Sequence, residues 1–141
     1  MNRQLVLAEW KRARKSLRAA EILTREGYSE DALSRAYYAV LHTAKAALWV
    51  KDVATVSHAG VRPMFGLHLI RPGEIEPEWA TYIGETLDDR LAADYNVNVS
   101  VTLREARENC RRSRRFLSRI RRYLLDKGLT EAELRRRRPD A

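Results

Sequence analysis

Small and apolar residues near the end of the chain recur at alternating steps of three and four, and this spacing constrains the fold most. From residue 103 to residue 124 they are Leu103, Ala106, Cys110, Ser113, Leu117, Ile120 and Leu124. These steps place all seven residues on one side of an α-helix, as in the seam of a coiled coil. We therefore predict a long amphipathic helix with Thr102 as its N-cap and Gly128 at its end.

Two further helices are predicted in the first third of the chain. Residues 5–25 carry apolar side chains at helical spacing, and Gly27 is suited to end that helix. Ser29 is a suitable N-cap for a second helix over residues 30–50. Because this second segment is apolar or small on nearly every face, we expect it to be the central helix of a bundle.

The middle of the chain predicts two more helices. Ser57 is a candidate cap for a helix that ends at Pro72, and Pro77 suits the first turn of a helix that ends near Tyr95. Residues 96–101 alternate as a strand would, but a single short strand has no partner here, so we interpret them as an extended connection. The sequence thus predicts an all-α, up-and-down bundle of four long helices with one or two short ones.

The length of 141 residues suits a single domain. We expect residues 1–128 to form one helical domain and residues 129–141 to form a basic C-terminal tail, either a short helix or disordered. Neither a signal peptide nor a stretch of about 20 apolar residues is recognisable, so we expect a cytoplasmic protein without a membrane partner.

The sequence offers little for metal or thiol chemistry. Cys110 is the single cysteine and cannot form an internal disulfide. His42, His58 and His68 lie far apart and do not form the paired spacing of a metal site. We therefore expect no metal and no cofactor.

The positive charge is concentrated at the C-terminal end. Residues 1–102 contain 13 basic and 13 acidic residues, whereas residues 103–141 contain 14 and 6, which accounts for the net charge of +8. Arginines fill the positions between the apolar residues of the fifth helix, and among them Arg111 and Arg115 are candidate contacts to RNA or a nucleotide. An acidic protein partner or a solvated helix face remains an alternative interpretation.

Two groups of residues could form a site. Arg90 and Asp94 lie four residues apart on the fourth helix, with Tyr95 beside them at its end; such a pair is most often an intrahelical ion pair. Arg35 and His42 lie seven apart on one face of the second helix and could line a pocket. Alternatively, His42 is a hydrogen-bonded histidine within the bundle.

Together these segments resemble a known family. Residues 32–48 read A-x-x-x-A-Y-Y-A-x-x-H-x-A-x-A-A-L, Ser57-His58-x-Gly60 and Phe65 follow, and residues 90–95 read R-L-A-A-D-Y. In combination they look like a small prokaryotic HEPN domain over about residues 5–125. The resemblance implies a dimeric bundle, often encoded beside a minimal nucleotidyltransferase as a toxin and antitoxin pair.

Active members of the family are metal-independent endoribonucleases, with a motif of an arginine, a polar residue, three others and a histidine. Arg90 matches the arginine, but Leu91 stands at the polar position and Tyr95 at the histidine position. A tyrosine with a pKa of about 10 is only about 0.1% phenolate at pH 7, so it is a poor general base. As candidate catalytic residues, Arg90 would bind phosphate, and Tyr95 and Asp94 would orient it.

The resemblance leads to two hypotheses. In the first, the protein is a homodimeric, toxin-like HEPN protein that binds RNA or a nucleotide, with His42, His58 and Arg35 as additional contacts. A metal-independent endoribonuclease with a degenerate Arg-x4-Tyr motif belongs to this hypothesis. In the second, the protein is a non-catalytic helical module that docks a partner nucleotidyltransferase through its basic fifth helix.

Overall fold

The structure, a computed structural model, describes residues 1–136 and is all-α in that range. Its helices are α1 (Arg3–Arg25), α2 (Ser29–Val50), α3 (His58–Phe65), α4 (Pro77–Tyr95), α5 (Leu103–Asp126) and α6 (Glu131–Arg135). A π-helical turn, Gly66–Ile70, continues α3. The predicted bundle of four long helices is confirmed, and residues 96–101 form a connection between helices.

The second helix is the centre of the bundle, as its composition predicts. It packs against α1, α3, α4 and α5. Alanines such as Ala36, Ala39 and Ala44 are fully buried on α2, and their small side chains let the neighbouring helices approach closely. Five of its half-buried side chains form one stripe at steps of four and three residues: Ser34, Tyr38, His42, Lys45 and Trp49.

The seam of α5 forms the other half of the core. Leu117, Ile120 and Leu124 are buried, and Phe116 contacts the ring of Phe65 with a centroid distance of 5.9 Å. Burial of each such side chain contributes about 1.5–3 kcal/mol. Leu103, the first residue of the predicted seam, is 38% exposed, because the helix begins at that residue and has no neighbour there to cover it.

The starts of α3 and α2 show whether the predicted N-cap residues are correct. The side chain of Ser57 accepts a hydrogen bond from the backbone N–H of Gly60 at 3.1 Å, which confirms it as the N-cap of α3. The prediction that Ser29 caps α2 is wrong. Tyr28 occupies the N-cap position, and Ser29 is already the first, buried residue of the helix.

The third helix also departs from the prediction. A regular helix was expected to run to Pro72, but after Phe65 the backbone widens into the π-helical turn, in which the N–H of Arg71 bonds to the carbonyl of Gly66 at 2.9 Å. The wider turn places Leu69 fully inside the core.

The last described helix packs on the first. Thr130 and Glu133 form a capping box at the start of α6, and Leu134 is buried. The indole of Trp10 donates to the carbonyl of Leu134 at 3.0 Å, and Arg3 binds the carboxylate of Glu133. A short helix, one of the two alternatives expected for the basic tail, is thus present as α6, while residues 137–141 of that tail lie outside the described residues.

No helix among residues 1–136 has the length and apolar character needed to cross a membrane.

Candidate functional site

Arg90 of α4 lies over two neighbouring tyrosines of α2. Its Cζ atom is 5.0 Å from the centre of the Tyr37 ring and 5.2 Å from that of Tyr38. Its Nη2 donates a hydrogen bond to the Tyr38 hydroxyl at 3.2 Å. A guanidinium on two ring faces is held by cation–π attraction and by the hydrogen bond together, so its position is fixed.

Asp94 joins this cluster from the last turn of α4. Its carboxylate lies 3.1 Å from Arg90 Nε, which confirms the ion pair predicted from the four-residue spacing. The hydroxyl of Ser34 on α2 donates to the same carboxylate. Arg90 and Asp94 are thus tied to α2 as well as to each other.

Two polar atoms of the cluster are buried and lack a hydrogen-bond partner among the described residues. They are Nε of Arg90, which is close to Asp94 but not aligned with it, and the hydroxyl of Tyr37. Burial raises the pKa of Tyr37, so its hydroxyl keeps the proton. A buried donor without a partner costs about 1–3 kcal/mol, and in this cluster that cost falls on the Tyr37 hydroxyl, since Arg90 Nε is paired with Asp94.

His58, at the first turn of α3, borders the cluster. Its ring centroid is 5.8 Å from that of Tyr38 and 6.2 Å from that of Tyr37, both edge-on. Burial, followed by the nearby positive charges of Arg90 and Lys45, lowers the pKa of His58 below its ordinary value of 6.5. The imidazole is therefore neutral at pH 7 and able to accept a proton.

His42 lies on the other side of Tyr38. The two rings stack with centroids 6.5 Å apart, and His42 Nδ1 is 2.6 Å from a carboxylate oxygen of Glu9 on α1. Burial alone would raise the pKa of Glu9, but the hydrogen bond from His42 and the charge of Lys45 outweigh it, so the pKa is lowered. The expectation of a hydrogen-bonded bundle histidine agrees with this geometry, and the carboxylate orients the ring.

The structure brings most of the sequence-predicted site residues together around Tyr38. Arg35 has its Cζ atom 5.9 Å from the centre of that ring. The residues that meet there are Arg35, His42, His58, Arg90 and Asp94.

Tyr95, Arg111 and Arg115 do not join this cluster in the described contacts. Tyr95 is 76% exposed, because residues five apart on a helix point about 140° away from each other, so it faces away from Arg90. Arg111 is on α5, where it pairs with Glu108 at 2.9 Å and lines a cleft against α1. Arg115 is exposed on the same helix.

Four participants were not among the predicted site residues: Glu9, Ser34, Tyr37 and Tyr38. One signal could have found Ser34. Ser34, Tyr38 and His42 follow one another at steps of four on a helix rich in alanine and leucine, which marks a polar stripe. Glu9 had no such signal, because its partner lies 33 residues away on another helix.

Among the described residues, no group of three or more histidine, cysteine, aspartate or glutamate side chains is placed to hold a metal ion.

The all-α bundle and its arginine–tyrosine cluster define a class that comparison with known proteins identifies. Residues 7–123 match the HEPN domain family. This match covers most of the chain, and the chain belongs to that family.

Two relatives come from Methanocaldococcus jannaschii. The protein named "Putative toxin MJ0142" is 32% identical over 122 residues, which is 86% of this chain and 83% of that protein. The protein named "Putative toxin MJ0605" is 38% identical over 112 residues, or 79% of this chain and 83% of that protein. A third relative, "UPF0332 protein glr0978" of Gloeobacter violaceus, is 32% identical over 107 residues, or 75% and 85% of the two chains.

Proposed function

We propose that this HEPN protein is the toxin-like half of a two-component module and binds RNA or a nucleotide at the Arg90 cluster. The observation that carries the proposal is the Arg90 guanidinium, which is held over the rings of Tyr37 and Tyr38 with His58 at the border of the cluster. The two toxin-named relatives support the toxin role.

The chemistry of the cluster suits a phosphate. A guanidinium offers planar donors that match two phosphate oxygens. Asp94 already neutralises part of the charge of Arg90, so the cluster binds an anion through hydrogen bonds as much as through net charge.

The cluster also contains groups that suit metal-independent RNA cleavage. In that reaction the ribose 2′-oxygen attacks the phosphorus, its proton passes to a base, and the 5′-oxygen leaves with a proton from an acid. Arg90 would stabilise the charge that develops on the phosphorus-bound oxygens. Neutral His58 and the Glu9-oriented His42 would serve as base and acid, a role that the exposed Tyr95 fills poorly.

We propose that the active form is a homodimer. The end of α4 and the connection after it expose three apolar side chains: Leu91 at 40%, Tyr95 at 76% and Val97 at 97%. They lie beside Arg90 and Asp94 in the chain, so a second copy that covers them would place two Arg90 clusters near one symmetry axis.

A second candidate function is a non-catalytic module that docks a nucleotidyltransferase antitoxin. Tyr95 favours it, because a tyrosine replaces the motif histidine and projects into solvent. In this case Arg90 and the tyrosines would stabilise the helices that form the interface and would not bind RNA.

Incubation of purified protein with total RNA, in the presence of a metal chelator, separates the two functions. If the nuclease proposal holds, cleavage persists with the chelator and falls at least about 100-fold, a typical loss for one transition-state donor, in Arg90→Ala. Arg122→Ala is the matched control, since Arg122 is exposed and outside the cluster. No cleavage by the unmodified protein, or equal cleavage by both variants, would favour the docking module.

A further inference from the structure

A basic groove runs between α1 and α5, and it is separate from the Arg90 cluster of α2 and α4. Two adjoining clefts of about 500 and 650 Å³ form it and share Arg18, Glu21 and Arg114. We call it the α1–α5 groove. Its charged lining residues are Lys11, Arg14, Lys15, Arg18, Glu21, Arg25, Arg107, Arg111, Arg114, Arg121 and Arg136.

The charge of this groove is one-sided. Of those lining residues, ten are basic and Glu21 alone is acidic. Glu21 is already bound by Arg114, whose Nη2 lies 2.6 Å from its carboxylate. Low-dielectric walls around like charges focus a positive potential, so the groove attracts polyanions.

Several groove cations have no carboxylate partner within the described residues. Lys15, Arg18, Arg25 and Arg107 are exposed and make neither an ion pair nor a side-chain hydrogen bond there. Other groove arginines already have carboxylate partners: Arg111 pairs with Glu108, Arg114 with Glu21 and Arg121 with Glu131. The positive charge available to a ligand therefore comes mainly from α1, with Arg107 of α5.

Buried residues form the base of the groove. Cys110 lies 3.4 Å from the Thr24 hydroxyl, and both residues are buried. Leu17 and Leu117 are buried below the second cleft. From Lys11 to Arg25 the basic side of α1 extends about 21 Å, at about 1.5 Å per residue.

We propose that the α1–α5 groove binds the phosphate backbone of a single RNA strand. The inference rests on the proposed function in taking RNA as the ligand, but it assigns a binding surface that does not include the Arg90 cluster. Arginine dominates the groove, and its planar donors match phosphate oxygens. Buried Trp10 is the only aromatic side chain in the described lining, so bases have no stacking platform and recognition depends little on sequence.

An acidic protein helix is a poorer match. Protein interfaces have aromatic and aliphatic anchors at their centre, whereas Leu17 and Leu117 are only 6% and 5% exposed and offer little apolar surface. The surface that the groove does offer is its charged walls, and these suit a polyanion such as RNA, which carries one negative charge per nucleotide.

The test measures binding of a fluorescein-labelled 12-nucleotide uridine RNA by anisotropy at several salt concentrations. The groove variant combines Lys15→Ala, Arg18→Ala and Arg107→Ala. The matched control combines Arg12→Ala, Arg104→Ala and Arg122→Ala, which removes the same charge from exposed positions outside the groove. Circular dichroism verifies that both variants are folded.

We expect the groove variant to bind the RNA at least tenfold more weakly than the unmodified protein does. The affinity of the control variant should change less than twofold. The slope of log affinity against log salt should become shallower by about 2 in the groove variant, since each lost phosphate contact removes about 0.7. Equal weakening in both variants, or displacement of the RNA by poly-glutamate at the same charge concentration, would overturn the proposal. The two proposals fail separately: anisotropy binding of the groove variant against its control tests the α1–α5 groove, whereas cleavage by Arg90→Ala against Arg122→Ala tests the Arg90 cluster.

Discussion

The hydroxyl of Ser34 donates to both carboxylate oxygens of Asp94, at 3.0 and 3.1 Å. This contact fastens the last turn of α4 to the half-buried stripe of α2. It also holds the Asp94 carboxylate beside Arg90, so that the arginine stays over the tyrosine rings. One small side chain thereby sets the geometry of the cluster.

We expect Ser34→Ala to reduce the free energy of unfolding by about 0.5–1.5 kcal/mol, the usual net value of one hydrogen bond. Urea denaturation followed by circular dichroism measures it. Ser118→Ala is the matched control, because Ser118 is exposed on α5 and makes no side-chain hydrogen bond within the described residues. Equal stability of the two variants would show that the contact with Asp94 contributes nothing.

The His58 imidazole should titrate below its ordinary pKa of 6.5, because burial and the charge of Arg90 both disfavour its protonated form. NMR titration of its ring protons measures this directly. In Arg90→Ala the midpoint should move upward, since the largest of the charge effects on His58 is removed. A midpoint that does not respond to the loss of Arg90 would contradict the proximity of the two side chains.

Two leucines of similar size should differ sharply when truncated. Leu117→Ala removes a side chain that is 5% exposed in the core and should cost about 2–5 kcal/mol through the cavity it leaves. Leu91→Ala, at a position that is 40% exposed, should cost within about 0.5 kcal/mol. Thermal and urea denaturation of both variants decide this, and similar losses would place Leu91 in the core.

Stability should fall in acid as Glu133 becomes protonated. The hydrogen bond from Arg3, with help from Thr130, lowers the pKa of Glu133 to about 2. Because the folded pKa lies below the unfolded value of about 4.3, the contribution is fully present above that value and disappears as pH falls towards 2. Glu133→Gln and Arg3→Ala should both flatten the stability profile in this window, and an unchanged slope would rule out the linkage.

Static light scattering should give twice the chain mass of 16.4 kDa at micromolar concentration, if the apolar end of α4 is the dimer contact. Tyr95→Arg adds a charge at the exposed position and should shift the mass to that of a monomer without a loss of helix content. A monomeric unmodified protein would remove the proposed symmetric pair of Arg90 clusters.

The sequence predicts the bundle well because local rules determine it. The seam of α5, the caps at Ser57 and Thr102, and the apolar character of α2 each follow from spacing or side-chain chemistry within a few residues. The π-helical turn at Gly66–Ile70 was not predictable in this way, because it goes together with the burial of Leu69 in the core. That burial depends on tertiary packing and not on the local sequence.

The candidate site was only partly predictable for the same reason. The pair of Arg90 and Asp94 follows from a four-residue spacing, but the stacking of Arg90 on Tyr38 joins residues 52 positions apart. The pairing of the charged residues was unpredictable for the same reason. The sequence locates the excess of arginine in α5, yet only the packing shows that Arg112, Arg119 and Arg121 are bound by carboxylates of other segments.

The contact of α6 with α1 has a consequence for the order of folding. Arg3 and Glu133 are 130 positions apart, whereas α1 and α2 are joined by a short turn at Gly27. Closing the longer loop costs more chain entropy, so the hairpin of α1 and α2 forms first and α6 docks late. In the native protein α6 should also detach first, and its amide protons should exchange with solvent well before those of α2.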